Sequence, residues 1–287
     1  MPLIFVPTPL GNLRDITLRA LDVLRDCDLL VAEDSRVAQR LLAALQLPGK
    51  EIWTYHDHNA AAATPVILQR AQDRTVAVVT DAGTPGISDP GALLVANARA
   101  AGIAVEVLPG PSAAIGAAVL SGFSMRRFVF AGFLPRAAVA RRKMLSGDFA
   151  SGVPLIYYES PQRIVSALAD IAALDPSRRI FLLREYTKVY EQQVCGTAQE
   201  VCSALEQPVR GELTLVVEGA PVTFSPPSEA EIGARMDRML NEGRSVSAIA
   251  KALADEGCGQ RRHLYAQAVH RKTQWQGSAQ ARKTADS

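Results

Sequence analysis

Side chains that can move a proton or carry charge recur in short polar clusters. Glu33-Asp34-Ser35-Arg36, Glu159-Ser160-Pro161-Gln162-Arg163 and Arg184-Glu185-Tyr186-Thr187-Lys188, with Glu191 just beyond, each set acid beside base. Such clusters can position a polar substrate or relay a proton, and can equally be structural ion pairs. A second kind of cluster is built of Gly and Pro: Pro7-Thr8-Pro9-Leu10-Gly11-Asn12, the run from Asp81 to Gly91 (DAGTPGISDPG), and Pro109-Gly110-Pro111-Ser112-Ala113. Gly lets a backbone come close to a ligand, and Pro stiffens the loop, lowering the entropy cost of holding it. One such loop reads as a turn, whereas three at strand ends of one domain read as a pocket lined by backbone groups. The chain has no GxGxxG opening its first helix and no GxxxxGK[ST], and these loops contain no Lys or Arg. A pyrophosphate or triphosphate therefore lacks its usual cradle. A nucleoside-like ligand without phosphates suits the loops better, held by backbone amides and by Asp81, Thr84, Ser88 and Ser112. His56-Asp57-His58 has no further His or Cys at ligand spacing, so no metal is expected.

The elements that must position these groups follow from periodicity. Leu3–Pro7, Asp28–Ala32, Glu51–Tyr55, Thr75–Thr80 and Ala104–Leu108 read as buried strands, separated by helical patterns at Asp15–Asp26, Ser35–Leu45, an Ala-rich stretch ending near Gln72, and Pro90–Ala101. Strand–helix alternation with few hairpin signals predicts crossover connections and a largely parallel sheet covered on both faces. Ligands of such sheets bind beyond the carboxyl ends of the strands, where the Gly/Pro loops fall. A second round of strands is expected at Phe128–Phe133, Leu155–Tyr158, Ile180–Leu183 and Glu212–Val217, with helices at Ala138–Leu145, Pro161–Leu174 and Ala198–Glu206. Pro221–Pro227 reads as a linker. Helical patterns follow at Glu229–Asn241, Ser245–Glu256 and Gln260–His270. The expected organisation is an α/β domain over 1–112, a second over 113–222, a helical module over 228–272 and an unstructured tail over 273–287.

The composition is that of an ordinary globular protein, 48% apolar, 21% charged and 6% aromatic over 287 residues, with a formal net charge of +2. No global basic field announces nucleic acid, but charge is distributed unevenly. Residues 126–143 carry Arg126, Arg127, Arg136, Arg141, Arg142 and Lys143 without an acid, and 257–283 carry Arg261, Arg262, Arg271, Lys272, Arg282 and Lys283, again without an acid. Such patches suit a polyanion or a solvated surface. Cys27, Cys195, Cys202 and Cys258 form no CxxC pair and read as reduced thiols. No signal peptide or membrane-spanning run is apparent, so a cytoplasmic protein without a membrane partner is expected.

The order of Pro7–Asn12, Ala32-Glu33-Asp34-Ser35-Arg36, Asp81–Gly91 and Leu108–Ala113 resembles the tetrapyrrole-methylase superfamily, and within it the branch that methylates small-subunit ribosomal RNA. Gly132-Phe133-Leu134-Pro135, Tyr158–Arg163 and Arg184–Lys188 agree, and the resemblance spans about residues 3–270. It implies two α/β domains of that type with S-adenosylmethionine in the cleft between them, plus the small helical C-terminal module. It further implies a homodimer and 2′-O-methylation of a decoding-centre cytidine ribose in 16S rRNA. S-adenosylmethionine is a nucleoside with a sulfonium charge and no phosphate, which agrees with the pocket read above. The cofactor is then expected at Pro9, Gly11, Asp81, Gly83, Thr84, Ser88, Pro111, Ser112 and Ala113. Glu159 or Glu185 is expected to take or orient the hydroxyl proton, with Lys188 alongside. Arg36, Arg136, Arg141, Arg142, Arg163, Arg184, Arg261 and Arg262 are expected to hold the rRNA. Ser35 stands where the family commonly has Thr, and Cys195 where a basic residue is expected. A methyltransferase acting on a tetrapyrrole, and a non-catalytic ribosome-binding protein, are the rival readings.

Overall fold

The computed structural model describes the backbone of residues 2–220 and 228–285, with side chains among them up to residue 273. It divides into two compact units, Met1–Pro221 and Val222–Ser287. The predicted linker at 221–227 lies outside the described residues.

The first unit opens with alternating strands and helices: β1 (Leu3–Phe5), α1 (Leu18–Asp26), β2 (Leu29–Ala32), α2 (Ser35–Ala44), β3 (Ile52–Thr54), α3 (Ala60–Arg70), β4 (Val76–Val79), α4 (Ala92–Ala100) and β5 (Val105–Val107). The strands form an all-parallel sheet in the order β3-β2-β4-β1-β5. Successive side chains point to opposite faces. Leu3, Phe5, Val76 and Val78 therefore pack with Ile67, Leu68 and Leu94 of α3 and α4. Ile4, Val6, Ala77 and Val79 pack with Leu24 and Leu42 of α1 and α2. Burying a large aliphatic side chain contributes about 1.5–3 kcal/mol, so the near-continuous Val/Leu/Ala runs are what a sheet covered twice demands. The helix predicted from Asp15 begins instead at Leu18, because Thr17 caps it, its hydroxyl accepting from the Ala20 amide at 3.1 Å.

A second sheet follows, from α5 (Ala113–Leu120), β6 (Val129–Phe133), α6 (Ala138–Phe149), β7 (Leu155–Glu159), α7 (Ile164–Leu174), β8 (Arg179–Arg184), β9 (Gln192–Thr197), α8 (Ala198–Ser203) and β10 (Leu213–Val217). Its order is β6-β7-β10-β8-β9, with β6 and β7 parallel and the other pairs antiparallel. Strand β9 went unpredicted because Gln-Gln-Val-Cys-Gly-Thr lacks an apolar run. It is an edge strand whose stability comes from its ladder with β8. Cys195 sits on it, exposed, and its Sγ accepts from Nη2 of Arg179 at 3.3 Å. A cation thus stands next to the position where one was expected. One face of this sheet packs on α7 and α8 through Leu155, Tyr157, Leu168, Leu182, Val201 and Leu215, the other on α5 through Ile156, Phe181 and Val216.

The second unit comprises α9 (Glu229–Asn241), α10 (Val246–Asp255) and α11 (Arg261–Ala285) around Met236, Ile249, Leu253 and Leu264. Ser228 and Glu231 close a capping box at the start of α9. The helix expected to stop at His270 runs on to Ala285, which corrects the reading of 273–285 as unstructured. Ala, Gln, Lys and Arg dominate that stretch and are strong helix formers. No described helix is long and apolar enough to cross a membrane.

Candidate functional site

The three Gly/Pro loops leave the carboxyl ends of β1, β4 and β5 and are tied to one another. Thr8 and Gly83 exchange backbone hydrogen bonds at 2.9 and 3.1 Å, joining the first loop to the second. The Thr84 hydroxyl donates to the Pro111 carbonyl at 2.9 Å, joining the second to the third. Together with the ends of β6, β7 and β10 they enclose a cleft of about 290 Å³. Gly83, Thr84, Ser88, Ser112 and Ala113 line it from the first sheet, and Phe133, Tyr158, Glu159 and Glu212 from the second. Among the described residues lining the cleft there is no Lys or Arg.

Two carboxylates give the cleft its electrostatic character. Glu159, at the end of β7, is buried. Its Oε1 pairs with Arg163 at 2.6 Å and accepts from the Ser160 amide at 2.7 Å, while Oε2 is buried with no hydrogen-bond partner. A buried oxygen left unpaired costs free energy, so it is poised to accept from a ligand donor. Asp89 is pushed up to about 6 by burial, opposed by the Thr80 hydroxyl and reinforced by the Glu33 and Asp81 carboxylates. Glu33 in turn accepts from Thr80 Oγ1 at 2.7 Å. Glu159 is balanced by Arg163, so the negative charge here is that of Asp89 with Glu33 and Asp81, and it favours a positively charged ligand.

The other predicted site residues are placed as follows. Asp81 is not among the residues lining the cleft; its Oδ1 accepts from the Asp34 amide at 3.2 Å, and burial and Glu33 raise it above the ordinary carboxylate value. Pro111 contributes the carbonyl that fixes Thr84. Pro9 and Gly11 are not among the residues lining the cleft. Gly11 instead makes room for the Lys188 side chain, whose Cγ occupies the place a Cβ would take. Lys188 Nζ donates to Glu185 at 2.9 Å and Glu212 at 2.8 Å. Burial would raise Glu185, but the hydrogen bonds from Lys188 and the Glu212 amide hold it below the ordinary carboxylate value. Glu185 is thereby engaged by Lys188 and the Glu212 amide.

The candidate RNA contacts divide. Arg141 is buried, with its Nε donating to Asp170 at 2.7 Å, so it is a core ion pair and not a surface contact. Arg163 is held by Glu159, Ser160 and the Leu134 carbonyl, and Arg184 by the Arg210 carbonyl and Gln192. Both position the cleft walls. Arg36 is exposed and pairs with Asp34, whose carboxyl it holds well below the usual carboxylate range. Arg136, Arg142, Arg261 and Arg262 are exposed, Arg142 lying 3.6 Å from Asp170. Sequence reasoning missed Asp89, Phe133, Tyr158 and Glu212 as site residues. Phe133 and Tyr158 lay within quoted motifs, but only the fold brings them to the cleft.

Known proteins resemble the chain in sequence and in fold. The sequence pattern of the family described as Tetrapyrrole (Corrin/Porphyrin) Methylases matches residues 2–202. A Ribosomal RNA small subunit methyltransferase I of Micromonospora olivasterospora is 38% identical, over 88% of this chain and 82% of that protein. The protein of the same name from Synechocystis sp. is 38% identical over 92% and 95%, and that from Thermotoga maritima 40% identical over 76% and 98%. Among solved structures, a diphthine synthase superposes with a TM-score of 0.61 at 14% identity, over 76% of this chain and 90% of that one. Uroporphyrin III C-methyl transferase from Thermus thermophilus superposes with a TM-score of 0.55 at 18% identity, over 76% and 97%. At that identity the structural likeness speaks for the fold alone.

Proposed function

The chain belongs to the tetrapyrrole methylase family, and on that premise we propose that it uses S-adenosylmethionine to methylate a ribose 2′-hydroxyl, that of a decoding-centre cytidine in 16S rRNA. The observation that carries the cofactor half is a cleft walled by Gly/Pro loops, free of Lys and Arg among its described lining residues, and bearing the buried unpartnered Oε2 of Glu159. Those residues fit a phosphate-free, positively charged nucleoside and disfavour a nucleotide phosphate. Bound there, S-adenosylmethionine supplies a methyl group already activated by its sulfonium charge. The backbone of Gly83, Ser112 and Ala113 would approach the ligand, and Asp89 would offset its charge. Glu159, immobilised by Arg163, would use Oε2 to accept and orient a donor hydrogen in the cleft. Alignment of reacting groups is the larger part of what such a site contributes to rate.

The RNA half is supported by the names of the relatives and by the exposed cations Arg136, Arg142, Arg261 and Arg262, which suit a phosphate backbone. A homodimer is part of the proposal, checked by sedimentation equilibrium, as is action in the cytoplasm, where ribosomal subunits are found. Calorimetry tests the cofactor half: the chain should bind S-adenosylmethionine and show no measurable affinity for ATP or NAD. Equal affinity for ATP would overturn it. Methyl transfer to unmethylated small subunits tests the RNA half.

A further inference from the structure

An open groove adjoins the cleft and shares two of its walls, Phe133 and Ser160. Leu134, Pro135, Arg136, Gln162 and Arg163 complete it. Its central feature is an aromatic side chain held where the ordinary pattern of a strand would not put it. Phe130 and Phe133 are three apart on β6, so regular alternation would send them to opposite faces. The register with β7 slips between them, Phe130 facing Ile156 but Gly132 facing Tyr157. Gly132, at φ 67°, absorbs the slip. One extra residue restores the parity: both rings lie against Tyr158, with centroids 5.0 and 5.6 Å away. Phe133 is braced from behind in this way, yet 52% exposed at the junction of cleft and groove. Bulges of this kind re-aim side chains beside active sites.

We propose that Phe133 is the stacking platform for the base of the acceptor nucleotide, with Gln162 at the base edge and Arg136 on an adjoining phosphate. Unstacked bases of RNA are held by aromatic faces and hydrogen-bonded at their edges, and the groove offers both. Arg136 and Gln162 are exposed beside the ring, and Arg142 and Lys143 lie exposed on the helix that follows. The charge is complementary to a nucleic acid backbone. A base seated here would bring its own ribose to the boundary of the cofactor cleft. The inference rests on the proposed RNA substrate and adds where that substrate is gripped.

The test compares wild type, Phe133→Leu, Phe133→Trp and Arg136→Gln in methyl transfer to unmethylated small subunits, with S-adenosylmethionine affinity measured separately by calorimetry. Leu keeps apolar packing on Tyr158 but offers no ring. Phe133→Leu should raise KM for the subunit about tenfold to a hundredfold, the loss expected for one stacked base, and weaken cofactor binding by a smaller factor, since the ring also lines the cleft. Phe133→Trp should retain wild-type KM. Arg136→Gln should raise KM and reduce the salt dependence of binding by about one charge. If wild type methylates subunits but both Phe133→Leu and Arg136→Gln leave KM unchanged, the groove is not the acceptor site, although the RNA reading stands. A Phe133→Leu variant that weakens only the cofactor would likewise overturn the proposal. A wild type that binds cofactor but methylates no RNA would bring down both.

Discussion

Among single residues, the deciding question is which polar atoms are already engaged. Glu185 is committed to Lys188 and the Glu212 amide, while Oε2 of Glu159 is buried without a hydrogen-bond partner. Glu159→Gln should therefore lower cofactor affinity or turnover at least tenfold, whereas Glu185→Gln should act mainly on stability. Removing the Glu159 charge also strips the mostly buried Arg163 of its partner, at a cost of about 2–3 kcal/mol by chemical denaturation, below the range for a fully buried pair. Asp89 predicts effects of opposite sign. Its folded value, about 6, lies above the ordinary 3.8. The stability this group lends is thus fully present below about pH 4 and lost as pH rises through 6. Asp89→Asn should accordingly melt a few degrees above wild type at pH 7.5, the two converging in acid. The same carboxylate, charged above pH 6, attracts a cationic ligand, so S-adenosylmethionine affinity should fall on acidification in wild type and stay flat and weaker in Asp89→Asn. Glu159 was legible in the sequence because its partner Arg163 is four residues away. Asp89 was not, because Glu33 reaches it only through the pairing of β2 with β4, and Thr80 only through the folding of the loop that carries them both.

For the secondary-structure elements, the alternation of apolar runs disclosed the parallel sheet and the loops at its carboxyl edge, since both faces of each strand must be covered. It could not disclose β9, whose residues are polar and whose place depends on the ladder with β8, nor the slip in β6, where the sequence shows only a Gly between Ala and Phe. That Gly accommodates the slip. At φ 67°, a side chain costs about 1–2 kcal/mol, and a Cβ would stand 3.2 Å from the Ser88 hydroxyl. Gly132→Ala should lower stability by about that amount and, by misdirecting Phe133, raise KM for RNA more than it alters cofactor affinity. A variant that loses stability but keeps wild-type KM would separate the bulge from recognition. Gly11 has the complementary role of close approach: the Lys188 side chain runs through the space a Cβ would fill, holding the charged network beside the cleft.

Across the whole molecule, the two compact units bury their own cores, so the second unit's share in RNA binding can be tested apart from cofactor binding. A chain ending at residue 220 should fold and bind S-adenosylmethionine as the full protein does, but lose at least tenfold in affinity for small subunits, since Arg261 and Arg262 go with the second unit. The sequence signals that bear on this division are the Pro-rich stretch before residue 228 and the helical periodicity beyond it, whereas the expected boundary near residue 112 falls inside the first unit. The extension of the last helix to Ala285 was not legible, because charge and Gln content there read as solvated tail although the same residues favour helix. The measurement that bears most directly on the account is transfer of a labelled methyl group from S-adenosylmethionine to unmethylated small subunits, with naked rRNA and a tetrapyrrole in parallel and the product mapped by nuclease digestion and mass spectrometry. A single 2′-O-methylcytidine in the decoding region is the predicted result. Label on the tetrapyrrole alone, or none on any acceptor despite cofactor binding, would contradict it.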